Sequence, residues 1–419
     1  MGSKWRTKTI KEIGNVITGK TPPGTKEIYF GGEVNFLTPS DMDESKYVES
    51  TQRTLSVSGA EVLKKNLIEK GIAVSCIGWQ MGKSVIINSP TVTNQQINTL
   101  IPDSAQVDIE FLYYVLKLKR QEIFNLGATA TRTPIVKKSL FEKIEIEFPE
   151  DLKLQKSIAQ TLRSLDNKII LNKQINQTLE QMAQTLFKSW FVDFDPVKAK
   201  MNDEQPEWMD APFLSKEVAS LFPEKLVESE LGLIPEGWGV GELSKLFELH
   251  RGFDLPKSKR QDGEYPVYAA GGYHGAHNEF KMEPPGIITG RSGVIGNVYL
   301  SLDKYWPLNT TLYVREFRTC GPYYAYHLLR SLDLKSLNSG SAVPSLNRNF
   351  VHSTNVCHPD SDVLAKFEEI VTPLFEKMVA NNEQNKSLSE LRDTLLPKLL
   401  SGEIDLENVQ VEQAKALAE

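Results

Sequence analysis

The sequence predicts an α/β (α+β) chain of pseudo-two-fold, tandem-repeat design: two globular domains separated by two long antiparallel coiled-coil helices. Three observations predict it. One apolar seam runs Leu162, Leu165, Ile169, Leu179, Leu186, Trp190, and a second runs Val371, Leu374, Met378, Leu388, Leu395, Leu399, each pair differing by 209 in number. Alternating steps of three and four place such side chains on one helix face, the pattern of a coiled-coil seam. Both seams are interrupted by asparagine at matching places, Asn172 and Asn176 in one, Asn381 and Asn385 in the other. Polar residues in a seam cost stability but fix register, so these four are expected to align the two helices, asparagine layer near asparagine layer. Finally, each seam follows a stretch of short apolar runs broken by Gly and Pro, the signature of strands and turns.

In chain order, residues 1–150 read as a first mixed domain. Ile72–Ile77 and Ser84–Ile87 flank a Gly-rich turn, a hairpin signal. Phe111, Tyr114, Val115, Leu118 and Ile123 have helical spacing. Residues 151–192 form the first long helix: Leu152–Trp190 holds no Pro or Gly, and such a length spans roughly 60 Å. Pro149 and Pro196 bound it. Residues 193–234 are an acidic connector, with five Pro between Asp193 and Glu236. Residues 235–360 form a second mixed domain, rich in Gly and Tyr. Residues 361–402 form the second long helix, in which Pro373 and Pro397 predict a kink or a break near its start. Residues 403–419 are an acidic tail. The globular stretches repeat faintly: Gly82 with Gly296, Asn94 with Asn309, and Pro134 with Pro344 recur at offsets of 214, 215 and 210.

The 419 residues leave room for more than one core, and 40% hydrophobic with 24% charged residues is ordinary for globular protein. No apolar run reaches a membrane span, and the N-terminus lacks the apolar core of a secretory signal. Three scattered cysteines without a C-x-x-C pair fit a reducing cytoplasm. The net charge of −6 conceals an uneven distribution. Asp193–Glu236 carries −7 and Gly402–Glu419 carries −4, which leaves +5 on everything else. The domains are mildly basic, so the total does not exclude a nucleic-acid partner.

Gly14–Thr21 reads GNVITGKT, a literal match to the phosphate-binding G-x-x-x-x-G-K-[ST] loop. That loop must open a helix whose free N–H groups hold the phosphates. Here Pro22, Pro23 and Gly24 follow at once and cannot continue a helix. Lys20 and Thr21 read instead as a surface loop able to touch a DNA phosphate; a P-loop NTPase stands as an alternative. His274 and His277, with Cys357 and His358, are too few and too scattered to specify a metal, and no metal site is assigned. No nucleophile elbow, zinc-protease motif or dinucleotide fingerprint is present, so the default is a binding protein without catalytic residues. Basic residues gather near turns and aromatics: Lys20, Arg53, Lys83, Arg132, Lys137 and Lys138 in the first half, and Arg251, Lys257, Lys259, Arg260, Arg291 and Arg348 in the second. Loop Arg and Lys contact phosphates, and the Arg fork also reads guanine edges. Placed in both halves, this set favours DNA over the other alternative, a coiled-coil adaptor that binds only proteins.

Several strings together resemble the specificity subunit of type I restriction-modification enzymes over essentially the whole chain. They are GKTPPGT, GGEVNFLTPSDM, GIAVSCIGWQMGKSVI and GATATRTPIVKKSLFEKIEI in the first half; the helix LQKSIAQTLRSLDNKIILNKQINQTLEQMAQTLFKSWFVDFDPV; SELGLIPEGW; and then YPVYAAGG, GIITGRSGVIGNVY, GSAVPSLNRNF and LRDTLLPKLLSGEI. The resemblance implies a non-catalytic, cytoplasmic DNA-reading subunit with two unlike target recognition domains. It further implies assembly with two adenine methyltransferase subunits that hold S-adenosylmethionine. Two restriction and translocase subunits that use ATP and magnesium would join them, and this chain itself would carry no cofactor.

Overall fold

A computed structural model gives the fold and describes residues 4–23, 27–42, 45–127, 134–202, 216–340 and 342–404. The chain divides into two compact units. The first joins Met1–Ile170 to Asn385–Glu419, and the second is Leu171–Gln384.

In the first unit a four-stranded antiparallel sheet runs in the order Gly14–Thr18, Ile97–Pro102, Gly71–Ser75, Ser84–Ile87. The Gly71–Ser75 and Ser84–Ile87 pair is the hairpin expected from the Gly-rich turn. All five residues of Gly71–Ser75 are buried, which explains its unbroken apolar run. A second sheet pairs Phe30–Leu37 in parallel with Thr91–Thr93, flanked by Thr54–Leu55 and Leu67–Ile68. Trp5–Thr9 pairs with Glu145–Pro149. The helical spacing after Phe111 resolves into two helices, Ile109–Leu118 and Arg120–Gly127, which part at Lys119. Phe111, Tyr114 and Ile146 share one core with Leu162, Leu165 and Leu395 of the long helices.

The second unit repeats this plan. Its main antiparallel sheet runs Phe247–Arg251, Thr311–Phe317, Gly286–Gly290, Val298–Ser301. Tyr265–Ala269 pairs in parallel with Trp306–Pro307 and antiparallel with Gly272–His277. Gly239–Glu242 pairs with Asn355–His358, and Pro322–Ser331 takes the place of Ile109–Leu118. Individual backbone bonds repeat as well. Gly19 N–H donates to Ile97 O at 3.0 Å, as Gly252 N–H does to Thr311 O at 3.1 Å. Gly78 N–H donates to Pro134 O at 3.1 Å, as Gly293 N–H does to Pro344 O at 2.9 Å. Val136 N–H donates to Cys76 O at 2.9 Å, as Leu346 N–H does to Arg291 O at 2.8 Å. These bonds set a residue-by-residue correspondence that sequence identity alone leaves faint.

The long helices are Leu152–Phe191 and Ser361–Leu400, 40 residues each. An aspartate caps both: Asp151 accepts from Lys153 N–H at 2.8 Å and Asp360 from Asp362 N–H at 2.8 Å, satisfying donors the first turn leaves open. The expected break at Pro373 is absent, because the helix runs unbroken through both Pro373 and Pro397. A proline removes one donor, and here Val371 and Phe375 on either side of it are fully buried, so packing holds the turn. The helices are also not freestanding spacers. One half of each belongs to each unit, because their apolar seams complete the two cores. The described residues of the acidic connector include the short helices Asp195–Met201 and Lys216–Ser220 and lead into a hairpin, Leu226–Ser229 with Gly232–Pro235.

Candidate nucleic-acid interface

Three of the arginines singled out in the second half converge. Arg251 ends the strand Phe247–Arg251, Arg291 begins the turn after Gly286–Gly290, and Arg348 opens a short helix capped by Asn347. With His250 and Leu312 they line one open groove of about 480 Å³. Neighbours hold two of the three. Arg291 Nε donates to Asn309 O at 3.0 Å, and Arg251 faces Asp254 at 3.7 Å. The remaining guanidinium N–H groups present donors to whatever enters. Three delocalised cations against one carboxylate favour an anionic or acceptor-rich occupant, such as a phosphate or a guanine edge.

The corresponding place in the first unit is neutral. Strand pairing matches Thr18 with Arg251 and Asn98 with Leu312, and the bonds given above match Cys76 with Arg291 and Lys138 with Arg348. Thr18 Oγ1 donates to Asn98 Oδ1 at 2.7 Å, and Asn98 Nδ2 donates to Cys76 Sγ at 3.2 Å. Burial pushes the Cys76 thiol up to about 11, so it stays protonated and inert. Lys138 is turned toward Glu142 at 3.5 Å.

The other expected contacts are dispersed. Lys20 and Thr21 are exposed, and Thr21 Oγ1 donates to Gln95 at 2.6 Å. Lys83 is half-buried beside its hairpin, and Lys137 is exposed at the N-cap of Lys138–Phe141. Lys257 and Lys259 lie on an exposed single turn, while Arg260 donates from Nη1 to His274 O at 3.0 Å. Arg53 covers the Phe30 ring at 3.7 Å. Arg132 lies outside the described residues. Matched by position, the two basic sets do not coincide: Lys20 stands where Phe253 does, and Lys137 where Asn347 does. Trp79, which the sequence reading passed over, stands at the hairpin tip, 91% exposed; its place between Gly78 and Gly82, both of positive φ, was the available signal.

The GNVITGKT string is not a phosphate cradle. Gly14–Thr18 is an edge strand, the described residues 19–23 that follow it are not helical, and the N–H groups of Gly19 and Lys20 are spent on Ile97 O and Thr93 O. That removes the NTPase alternative. Gly19 is there for close approach: a Cβ would lie 2.1 Å from Asn94 O, as one on Gly252 would lie 2.2 Å from Leu308 O.

The seam asparagines are engaged. Asn172, 1% exposed, donates to Gln384 at 2.8 Å; Asn381 donates to Asn176 Oδ1 at 2.8 Å; and Asn176 donates to Asn382 at 2.9 Å. Within the second unit, higher numbers on one helix meet lower numbers on the other, so these segments run antiparallel. Asn385 also has partners. In the first unit Arg392 and Asp166 form a largely buried pair at 2.8 Å, and Asp166 also accepts from Tyr114 at 2.6 Å.

A duplicated α/β head, carrying an arginine groove in one copy and a neutral counterpart in the other, points to a class of ligand-binding proteins. Comparison with known proteins names the class. The type I restriction modification DNA specificity domain matches residues 2–181 and 235–388, and the chain belongs to that family. It is 26% identical over 440 residues to the Type I restriction enzyme MjaIX specificity subunit of Methanocaldococcus jannaschii, covering 97% of this chain and 94% of that one. It is 29% identical over 438 residues to the HindI specificity subunit of Haemophilus influenzae, covering 88% and 94%. The fold is similar to the crystal structure of a type I S subunit from M. genitalium, with TM-score 0.53 and 19% identity over 95% of this chain and 96% of that one. As a specificity subunit the chain is a non-catalytic DNA-recognition component of a larger complex. Among the described residues no helix is long and apolar enough to cross a membrane.

Proposed function

We propose that each unit reads one half of a bipartite, asymmetric DNA site. The observation that carries this reading is the unlike chemistry at one matched place: Arg251, Arg291 and Arg348 in the second unit against Thr18, Cys76 and Lys138 in the first. Heads of one topology with different donors and acceptors select different base edges. The long helices set the unread gap between half-sites. One added helical turn, roughly 5.4 Å, would lengthen that gap by about one to two base pairs. Two adenine methyltransferase subunits carrying S-adenosylmethionine dock on the helices, and two ATP- and magnesium-dependent restriction subunits join them. The target adenine leaves the base stack to reach its enzyme. This chain supplies no cofactor ligand.

Single-molecule sequencing of DNA methylated by the complex tests the reading. One modified adenine on each strand of a split motif with fixed spacing is expected, whereas a continuous palindrome would overturn it. Exchanging residues 1–150 for those of another family member should change one half-site and leave the other.

A further inference from the structure

The hairpin between Gly71–Ser75 and Ser84–Ile87 ends in a tip built to hold one side chain outward. Gly78 and Gly82 take φ of +65° and +81°, conformations that β-carbon-bearing residues rarely adopt. The tip is fixed to a neighbouring segment by Gly78 N–H on Pro134 O and by the bridge between Ile77 and Ile135. Met81 points in and is 1% exposed, while Trp79 points out and is 91% exposed. Phe124 stands beside the indole, with ring centroids 6.3 Å apart at 27°, and Arg120 lines the same depression. The exposed indole, the Phe124 ring and Arg120 together make a surface patch of two aromatics and a cation, a combination that suits a stacking ligand.

The matched tip in the second unit supplies the context. Gly293 and Gly296 hold it with φ of +90° and +96°, and Val294 occupies the place of Trp79, 43% exposed. That tip is the continuation of Arg291, which lines the arginine groove. In both units, then, an apolar tip continues the position matched to Arg291, and in the first unit it is an indole beside Arg120.

We propose that Trp79 is an aromatic wedge that enters the base stack of the half-site read by the first unit. The proposal rests on the reading that this unit binds DNA. The indole stacks on an unpaired face at a base step, with Arg120 placed for the adjoining phosphate. Apolar side chains inserted in this way unstack a step and bend the duplex. Stacking tolerates any base, so Trp79 would add affinity and distortion, and selectivity would come from the ease of opening the step.

The test uses the full chain assembled with its methyltransferase subunits and the duplex defined by methylome mapping. 2-Aminopurine is placed at steps of either half-site that do not adjoin the adenine to be methylated, so that its extrusion does not report on the probe. Wild type should raise the probe's fluorescence in the first half-site. Trp79→Ala should abolish that rise, weaken binding about tenfold or more, and leave the second half-site's signal unchanged; Trp79→Phe should retain part of both effects. Unchanged affinity and fluorescence in Trp79→Ala would overturn the wedge. Loss of methyltransferase co-purification would overturn it too, by making the indole a protein contact. Sequence-unselective binding by wild type would instead bring down the DNA reading on which the wedge rests.

Discussion

The same helix is capped in opposite ways in the two units. In the first, Asp108 caps Ile109–Leu118 from its own chain position, accepting from Glu110 N–H at 3.0 Å and Phe111 N–H at 3.1 Å. In the second, the matched residue is Gly321, and the carboxylate comes from the long helix: Glu368 accepts from Tyr324 N–H at 2.7 Å and Tyr323 N–H at 3.4 Å. A Cβ on Gly321 would lie 2.2 Å from the Glu368 carboxyl carbon, so the two solutions exclude each other. The helix N-terminus demands an acceptor, but nothing demands that it come from a particular residue. The brace shows the same freedom. Arg392 and Asp166 are a largely buried pair in the first unit, whereas the positions 209 away are Ala183 and Phe375, both fully buried in the second. Geometry has persisted between the halves while the chemistry that meets it has been exchanged, and this is why their sequence likeness is faint.

Breaking the ionic brace should have the largest effect. Arg392→Ala leaves the largely buried Asp166 with Tyr114 but without its cation and is expected to destabilise the first unit by about 3 kcal/mol. Importing the second unit's apolar pair, Asp166→Phe with Arg392→Ala, should recover part of that loss; chemical denaturation of the three proteins checks both statements. Gly19→Ala and Gly252→Ala push a methyl into backbone carbonyls, so each should cost about 1–3 kcal/mol. Near-equal losses would sharpen the correspondence, and a silent Gly19→Ala would reopen the phosphate-loop question. Arg291→Ala should weaken the assembled complex on its mapped site by about 1–3 kcal/mol, with base selectivity relaxed in one half-site only. Cys76→Ser at the matched place should leave binding unchanged in the same titration.

The smallest effect is a pH dependence. Burial raises the Glu368 carboxyl from its ordinary range to about 7, although the Tyr324 and Tyr323 N–H groups pull it down. The folded state therefore binds a proton that the unfolded chain has already lost, so the second unit loses stability as pH rises from about 4.5 to about 7 and levels off above. Glu368→Gln keeps an acceptor and removes the ionisation, so its stability should be flat across that window. A slope surviving in Glu368→Gln would assign it to another group.

Local pattern determined a great deal. The seams, the absence of Gly and Pro over Leu152–Trp190, and the glycines around Gly82 were enough for both long helices, the hairpin and the duplication, because helix period and turn chemistry are written within a few residues. The same local rules allowed a break at Pro373, where the helix instead continues, its turn held by burial of Val371 and Phe375. They also left GNVITGKT open, since only strand pairing reveals that its amides are already spent. The tertiary structure alone decided that Arg251, Arg291 and Arg348 share a groove, that Cys76 occupies the place of Arg291, and that Trp79 stands at the matched tip. Those relations join residues far apart in the chain through sheet register, and register is fixed by what the whole core buries, not by any one segment's own preference.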